Sequence, residues 1–118
     1  MTAVLPEMRE LEGVFVIRLG AEIDMTNAAA LRLAVGERVP NDAIGLVVDL
    51  SETTYFDSAG VHMLFDLADQ LAVRHQSMAV VLPPRSPIRR VLQVVRLEER
   101  MPMTESVRAG VAAVRTAL

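Results

Sequence analysis

Two kinds of apolar pattern alternate along this chain. Residues 44–50 form a nearly continuous apolar run, which is typical of a central strand covered on both faces. Residues 78–82 form a second such run, which ends at Pro83 because proline has no N–H to donate to a neighbouring strand. Between them, residues 60–74 repeat apolar side chains with the i, i+3, i+4, i+7 spacing of a half-buried helix. The pattern predicts strand, helix and strand, with residues 46–50 as an interior strand.

The start of the chain predicts a β-hairpin followed by a helix. Two short apolar runs, residues 4–8 and 14–19, flank a polar segment in which Gly13 supplies the freedom that a turn needs. Thr26 or Asn27 can then cap a helix. The apolar positions of this helix are Ala28, Leu31, Leu33, Ala34 and Val35.

The last third of the chain predicts two further helices and a short strand. Ser86 is a good N-cap with Pro87 in the first helical position, residues 101–103 add a short strand, and Ser106 lies in the polar segment that opens a terminal helix. The side chains expected to face the core are Ile88, Val91, Leu92 and Val95 on the first helix and Val107, Val111, Val114 and Leu118 on the second.

Strands that alternate with helices imply parallel crossover connections, whereas the opening hairpin is antiparallel. The predicted fold is therefore α/β, with a mixed four- to five-stranded sheet flanked by about four helices. The chain shows no repeat or linker, and we expect residues 1–118 to form one domain.

Composition excludes several classes of chemistry. The absence of cysteine excludes disulfides, thiolate catalysis and Cys-ligated metal centres, and the absence of Lys excludes a P-loop or a Schiff base. The net charge is −3 and the arginines are scattered, which argues against a direct nucleic-acid partner. No apolar run reaches the roughly 20 residues that span a bilayer. We therefore expect a cytoplasmic protein that does not insert into membranes.

The segment Asp57-Ser58-Ala59-Gly60 leads from the central strand into the amphipathic helix. Ser58 can cap the free N–H groups of the first helical turn, and Asp57 can act as a second cap. Gly60 can supply the conformational freedom that a strand-to-helix turn needs. Capping alone would account for a serine here. A phosphate on Ser58 would add about −1.5 to −2 charges, and the helix N-terminus would partly offset the repulsion from Asp57.

Three segments that follow one another along the chain resemble the STAS domains of anti-sigma factor antagonists. They are residues 20–24, 48–61 and 86–92. In that family a Gly-x-Leu-Asp segment, an apolar strand that ends in Asp-Leu, and an Asp-Ser-[Ser/Thr]-Gly motif occur in this order. This chain has Ile23 where Leu is usual and Ala59 where Ser or Thr is usual. The resemblance covers nearly the whole chain.

The resemblance implies a switch protein rather than an enzyme. The family's phosphorylated serine directly follows the Asp of the motif, which places it on Ser58. The unphosphorylated domain would bind an anti-sigma factor that is also a serine kinase and release the sigma factor, and a serine phosphatase would restore this form. The ATP would belong to the kinase, so the domain needs no cofactor; a monomer and a weak dimer both remain open. The residues expected to contact the partner are Asp24, Asp57, Ala59, Gly60, His62 and Met63, of which the last two are predicted to face outward.

Other interpretations use the same residues. A STAS subunit or scaffold of a lipid-transport or stress-sensing complex would need Ser58 only as a helix cap. Asp49 resembles the phosphoacceptor of a receiver domain, but a receiver also needs a Lys, which this chain lacks. Ser58, His62 and Asp66 recur at a helical spacing, whereas known catalytic triads draw their members from separate elements. Two separated histidines without cysteine predict no metal site.

Overall fold

The chain forms seven short strands and four α-helices within residues 6–117, the part that the computed structural model describes. The strands are β1 (Met8–Leu11), β2 (Val14–Arg18), β3 (Glu22–Ile23), β4 (Gly45–Asp49), β5 (Tyr55–Phe56), β6 (Ser77–Val81) and β7 (Met103–Thr104). The helices are α1 (Ala28–Arg38), α2 (Ser58–Val73), α3 (Arg89–Val94) and α4 (Val107–Thr116), and a 3-10 turn (Leu97–Glu99) follows α3. None of the helices in this range combines the length and the apolar composition that a membrane span requires.

The predicted interior strand is the centre of the main sheet. That sheet has five strands in the order β1-β2-β4-β6-β7. The central strand β4 is parallel to both of its neighbours, and all of its residues are buried. β1 pairs antiparallel with β2, so the sheet is mixed. The predicted fold class is therefore confirmed.

Helices cover both faces of the sheet. Leu46, Val48 and Leu50 face a large apolar cluster that also contains buried residues of α1, α2 and α3. Val47 faces a smaller cluster on the other side, where Val111 of α4 packs. Side chains on successive strand residues point to opposite faces, so a strand buried on both sides is apolar on both, as β4 is except for Asp49 at its end.

The opening hairpin is present, but its first strand lies later than predicted. β1 includes Arg9 and Glu10, which the prediction assigned to the turn. The turn is instead Glu12-Gly13, where both residues have positive φ angles of 54° and 85°. Charged side chains are common on edge strands, where one edge of the strand has no neighbouring strand and faces solvent. Arg9 and Glu10 therefore belong to β1 and do not mark a turn. Residues 4 and 5 of the predicted strand lie outside the described residues.

Three details of the helices also differ from the predictions. Leu33, placed on the apolar side of α1, is 53% exposed, and Val95, placed on that of α3, is 36% exposed.

α3 begins later than predicted because Ser86 forms a separate turn, in which its Oγ accepts from the Ile88 N–H at 3.3 Å. Ser106 does cap α4, accepting from the Ala109 N–H at 3.1 Å. The predicted core position Leu118 lies outside the described residues.

Gly45 offers a test of how β4 lies against β6 and α4. A Cβ atom added there would lie 2.1 Å from the carbonyl oxygen of Ser77 and 2.6 Å from Cγ1 of Val114. Since the first of these atoms is backbone and cannot rotate away, we expect Gly45→Ala to lower the free energy of unfolding by about 3 kcal/mol, measured by urea denaturation. Gly20→Ala is the matched control, because a Cβ there has no atom within 4 Å, and should change stability by no more than about 1 kcal/mol. Equal midpoints for the two variants would contradict this packing.

Candidate functional site

The loops that follow β2 and β4 are joined by the short parallel pair of β3 and β5. In this pair Ile23 lies opposite Phe56, and both side chains are buried in the core. Asp24 directly follows β3 and Asp57 directly follows β5, and the Asp57 N–H donates to the carbonyl of Ile23 at 3.3 Å. The pairing therefore brings the two predicted aspartates to the same end of the molecule.

Further hydrogen bonds fix the two loops against each other. The buried Thr53 donates its hydroxyl to the carbonyl of Gly20 at 2.9 Å. The amides of Thr54 and Tyr55 both donate to the carbonyl of Ala21, at 2.8 and 3.1 Å. Because each bond crosses from one loop to the other, the two segments of the sequence motif form one structural unit.

Asp57, not Ser58, is the N-cap of α2. The Asp57 carboxylate accepts from the N–H of Ala59 at 2.9 Å and from that of Gly60 at 3.4 Å. Ser58 is the first residue of the helix and is exposed. Within residues 6–117 its side chain makes no hydrogen bond. The prediction that Ser58 caps the helix is therefore wrong, because the helix begins at Ser58 itself, one residue earlier than a Ser58 cap requires.

Gly60 is needed for the close approach of α2 to β5. A Cβ atom at this position would lie 2.8 Å from Cζ of Phe56. Gly60 is buried and Ala59 is half-buried. The motif thus allows the helix to start directly against the aromatic ring that anchors β5.

Asp24 organises a compact turn between β3 and α1. Its Oδ1 accepts from the Thr26 N–H at 2.8 Å and from the Thr26 hydroxyl, and its own N–H donates to Oδ1 of Asn27 at 3.0 Å. The hydroxyl bond, followed by the amide bond, holds the pKa of Asp24 below its usual range, so the carboxylate is ionised near neutral pH. Asn27 precedes α1 but makes no side-chain capping bond to it, contrary to prediction, because it bonds back to this turn.

Two more predicted contact residues, His62 and Met63, have different environments. His62 is exposed, as predicted. Met63 is only 2% exposed, so the prediction that it faces outward is wrong. α2 packs against both the sheet and α1, so its buried side is wider than a single stripe.

A shallow groove of about 240 Å³ lies between α1 and the first half of α2. It is lined by Met25, Ala28, Ala29, Arg32, Ala59, His62, Met63 and Asp66. The sequence prediction missed Met25 and Arg32 as part of this surface. The Asp24-x-Thr26 spacing, which favours an Asx turn with the middle side chain pointing out, was the available signal for Met25.

The alternative chemistries have no assembled site in the described residues. Asp49 is only 3% exposed, accepts from the Ser51 N–H at 2.9 Å and has its Oδ2 3.6 Å from Nε of Arg18. No hydrogen bond connects Ser58 with His62 within residues 6–117. The same residues hold no group of three His, Asp or Glu side chains placed to bind a metal ion.

This chain is similar in sequence and in fold to known proteins. The STAS domain family model matches residues 6–110. Anti-sigma-F factor antagonist RsfB of Mycobacterium tuberculosis is 30% identical over 104 residues, which cover 87% of this chain and 83% of RsfB. The crystal structure of an anti-sigma factor antagonist from Mycobacterium paratuberculosis has a TM-score of 0.81 at 28% identity, covering 93% of this chain and 92% of that one.

A more distant structure shares the fold alone. The Bacillus cell fate determinant SpoIIAA in its phosphorylated form has a TM-score of 0.64 at 19% identity, covering 93% of this chain and 99% of that one. The family model extends over most of the sequence, and two of the three segments that resemble the family, residues 20–24 and 48–61, meet at one end of the fold. The chain therefore belongs to the STAS domain family.

Proposed function

We propose that this chain is an anti-sigma factor antagonist that is switched off by phosphorylation of Ser58. In this proposal the chain acts in the cytoplasm as one non-enzymatic domain over residues 1–118. Its unphosphorylated form binds an anti-sigma factor that is also a serine kinase, and this binding releases the sigma factor. A serine phosphatase restores the active form. The names of its relatives in two mycobacteria, both anti-sigma factor antagonists, support the partner class.

The observation that carries the proposal is that Asp57, and not the neighbouring Ser58, caps α2. Asp57 satisfies the first N–H groups of α2, so the fold does not need the Ser58 hydroxyl for capping. Ser58 is exposed on the first helical turn, where a kinase can reach it. A structural role for this serine is thereby weakened, and a role as a phosphate acceptor is favoured.

A phosphate on Ser58 would change the surface far more than the fold. An anion at a helix N-terminus is favoured by the helix dipole, typically by 0.3–1 kcal/mol. The nearby carboxylates of Asp24 and Asp57 oppose it, and the local charge would rise from two negative charges to about four. A partner that covers this surface would have to desolvate the added dianion, which costs several kcal/mol unless a cation pairs with it. SpoIIAA shows that a domain of this fold exists in a phosphorylated form.

Ser58→Ala should leave the fold and partner binding intact while abolishing phosphorylation. We expect its free energy of unfolding to lie within about 0.5 kcal/mol of wild type, because the hydroxyl makes no bond that the fold uses. Asp57→Ala, the comparison variant, removes the N-cap and should lose about 0.5–2 kcal/mol. Urea denaturation gives the stabilities, and intact-mass analysis after incubation with the kinase and ATP gives the modification. Phosphate found on Thr53, Thr54 or another hydroxyl would show that the assignment is wrong.

Ser58→Asp and Ser58→Glu should weaken binding to the anti-sigma factor by much more than they change thermal stability. The acidic side chain lies at a helix N-terminus, where it is tolerated. It adds an uncompensated negative charge to the surface of this chain that the partner would cover. A carboxylate carries less charge than a phosphate, so the variants should reproduce only part of the effect of authentic phosphorylation. Titration calorimetry set beside melting curves of the same proteins measures both quantities. Unchanged affinity for the acidic variants and for phosphorylated protein would reject the switch and favour a non-switching STAS subunit or scaffold.

A further inference from the structure

We propose that Met25 and the groove between α1 and α2 form a second part of the surface that recognises the anti-sigma factor. Met25 would be the apolar anchor, and the groove would receive an apolar side chain of the partner. This inference rests on the proposed function and adds to it the residues that determine partner affinity. Met25 is 81% exposed, although it lies beside the buried start of α1.

The exposure of Met25 is built into a rigid turn. Asp24 on one side and Thr26 on the other are tied to each other by the amide and hydroxyl bonds to the Asp24 carboxylate. Asn27 closes the turn by accepting from the Asp24 N–H and by donating its side-chain amide to the carbonyl of Glu22 at 2.8 Å. The backbone on both sides of Met25 is therefore fixed while its side chain projects into solvent. Because the backbone is already fixed, binding would cost the rotamer freedom of the Met25 side chain but no further ordering of the backbone, which favours Met25 as an interface anchor.

The groove next to Met25 has an apolar floor and a charged rim. Ala28, Ala29, Ala59 and Met63 supply the floor, and the small alanine side chains account for the depression. Ala59 occupies the motif position where the resemblance leads us to expect a hydroxyl, so the floor is more apolar in this chain. The rim carries Arg32, His62 and Asp66. A groove of this composition suits an aliphatic or methionine side chain surrounded by polar groups.

The groove is continuous with the proposed phosphorylation site. Ala59 directly follows Ser58, and Asp66 lies about 12 Å further along α2 at 1.5 Å per helical residue. A standard interface covers about 800 Å² per partner, which corresponds to a radius of roughly 16 Å. A kinase domain that reaches the Ser58 hydroxyl would therefore also cover the groove. This continuity identifies the anti-sigma factor kinase as the occupant.

The test compares Met25→Ala with Val73→Ala. Val73 is 82% exposed and lies at the far end of α2, about 22 Å from Ser58, so it matches Met25 in exposure but not in position. Using a purified anti-sigma factor kinase that phosphorylates the wild-type chain, we expect Met25→Ala to raise the Kd by about tenfold or more. It should raise the KM of Ser58 phosphorylation in parallel and leave kcat unchanged, because Met25 is not the acceptor. Val73→Ala should match wild type in all three quantities.

Two further variants distinguish recognition from indirect damage. Met25→Leu keeps an apolar anchor of similar size and should restore the affinity to within about threefold of wild type. Ala29→Leu fills the groove from the exposed side of α1 and should weaken binding without lowering the melting temperature.

Three results would overturn the inference. Wild-type Kd and KM for Met25→Ala, with Ser58 still phosphorylated, would reject this surface while leaving the proposed function standing. A wild-type dimer in sedimentation experiments that Met25→Ala converts to monomers would show that the occupant is a second copy of this chain. Failure of wild type to bind or be phosphorylated by any purified anti-sigma factor kinase of the same organism would reject the proposed function together with this inference.

Discussion

The pairing of two very short strands, β3 and β5, holds the candidate site together. A two-stranded pair is marginal by itself, and this one contains only two residues on each strand. It persists because Ile23 and Phe56 are both buried in the main core, while Glu22 and Tyr55 on the same strands point to solvent. The position of the two aspartates that follow is therefore determined by packing in the core together with the hydrogen bonds between the two loops.

The same constraint explains why the motif extends over two separate loops. Gly60 allows Phe56 to lie directly under the first turn of α2, since any larger residue would meet its ring. Thr53 ties the β5 loop to the carbonyl of Gly20 from a buried position. A change at these residues would move Asp24 and Ser58 relative to each other, even though neither residue would be altered.

The sequence predicted the central strand and α2 well because both carry strong, regular apolar signals. A run such as residues 44–50, in which Asp49 is the only charged residue, has few alternatives to a buried strand. β1 was misplaced because an edge strand with charged residues resembles a turn. β3 and β5 were not predicted, since two residues are too few to show a period. Met63 was predicted to be exposed because one apolar stripe was assumed, whereas contact with α1 buries a second side of α2.

The site was predictable in position but not in detail. Asp57 and Ser58 are equally good N-caps by residue type, and element boundaries inferred from sequence are uncertain by about two residues. Only the hydrogen bonds to Ala59 and Gly60 distinguish them. The groove could not be predicted, because it depends on how α1 lies against α2, and that packing is set by residues distant in sequence, such as Gly36 against Gln70.

A serine that does not cap its helix is suited to a switch that must leave the protein folded. If Ser58 supplied the capping bonds, its modification would change helix stability and surface charge together. Because Asp57 keeps the N–H groups of Ala59 and Gly60 satisfied, a dianion on Ser58 would change the charge that a partner meets far more than it would change the helix. In the proposed surface the apolar contact of Met25 would set affinity in the unphosphorylated state, and the phosphate would act against it from a neighbouring position. The two contributions differ in physical origin. The free energy gained by burying Met25 would be nearly insensitive to salt, because it comes from apolar surface. The electrostatic repulsion caused by the phosphate would be screened by salt, because the charges are partly exposed.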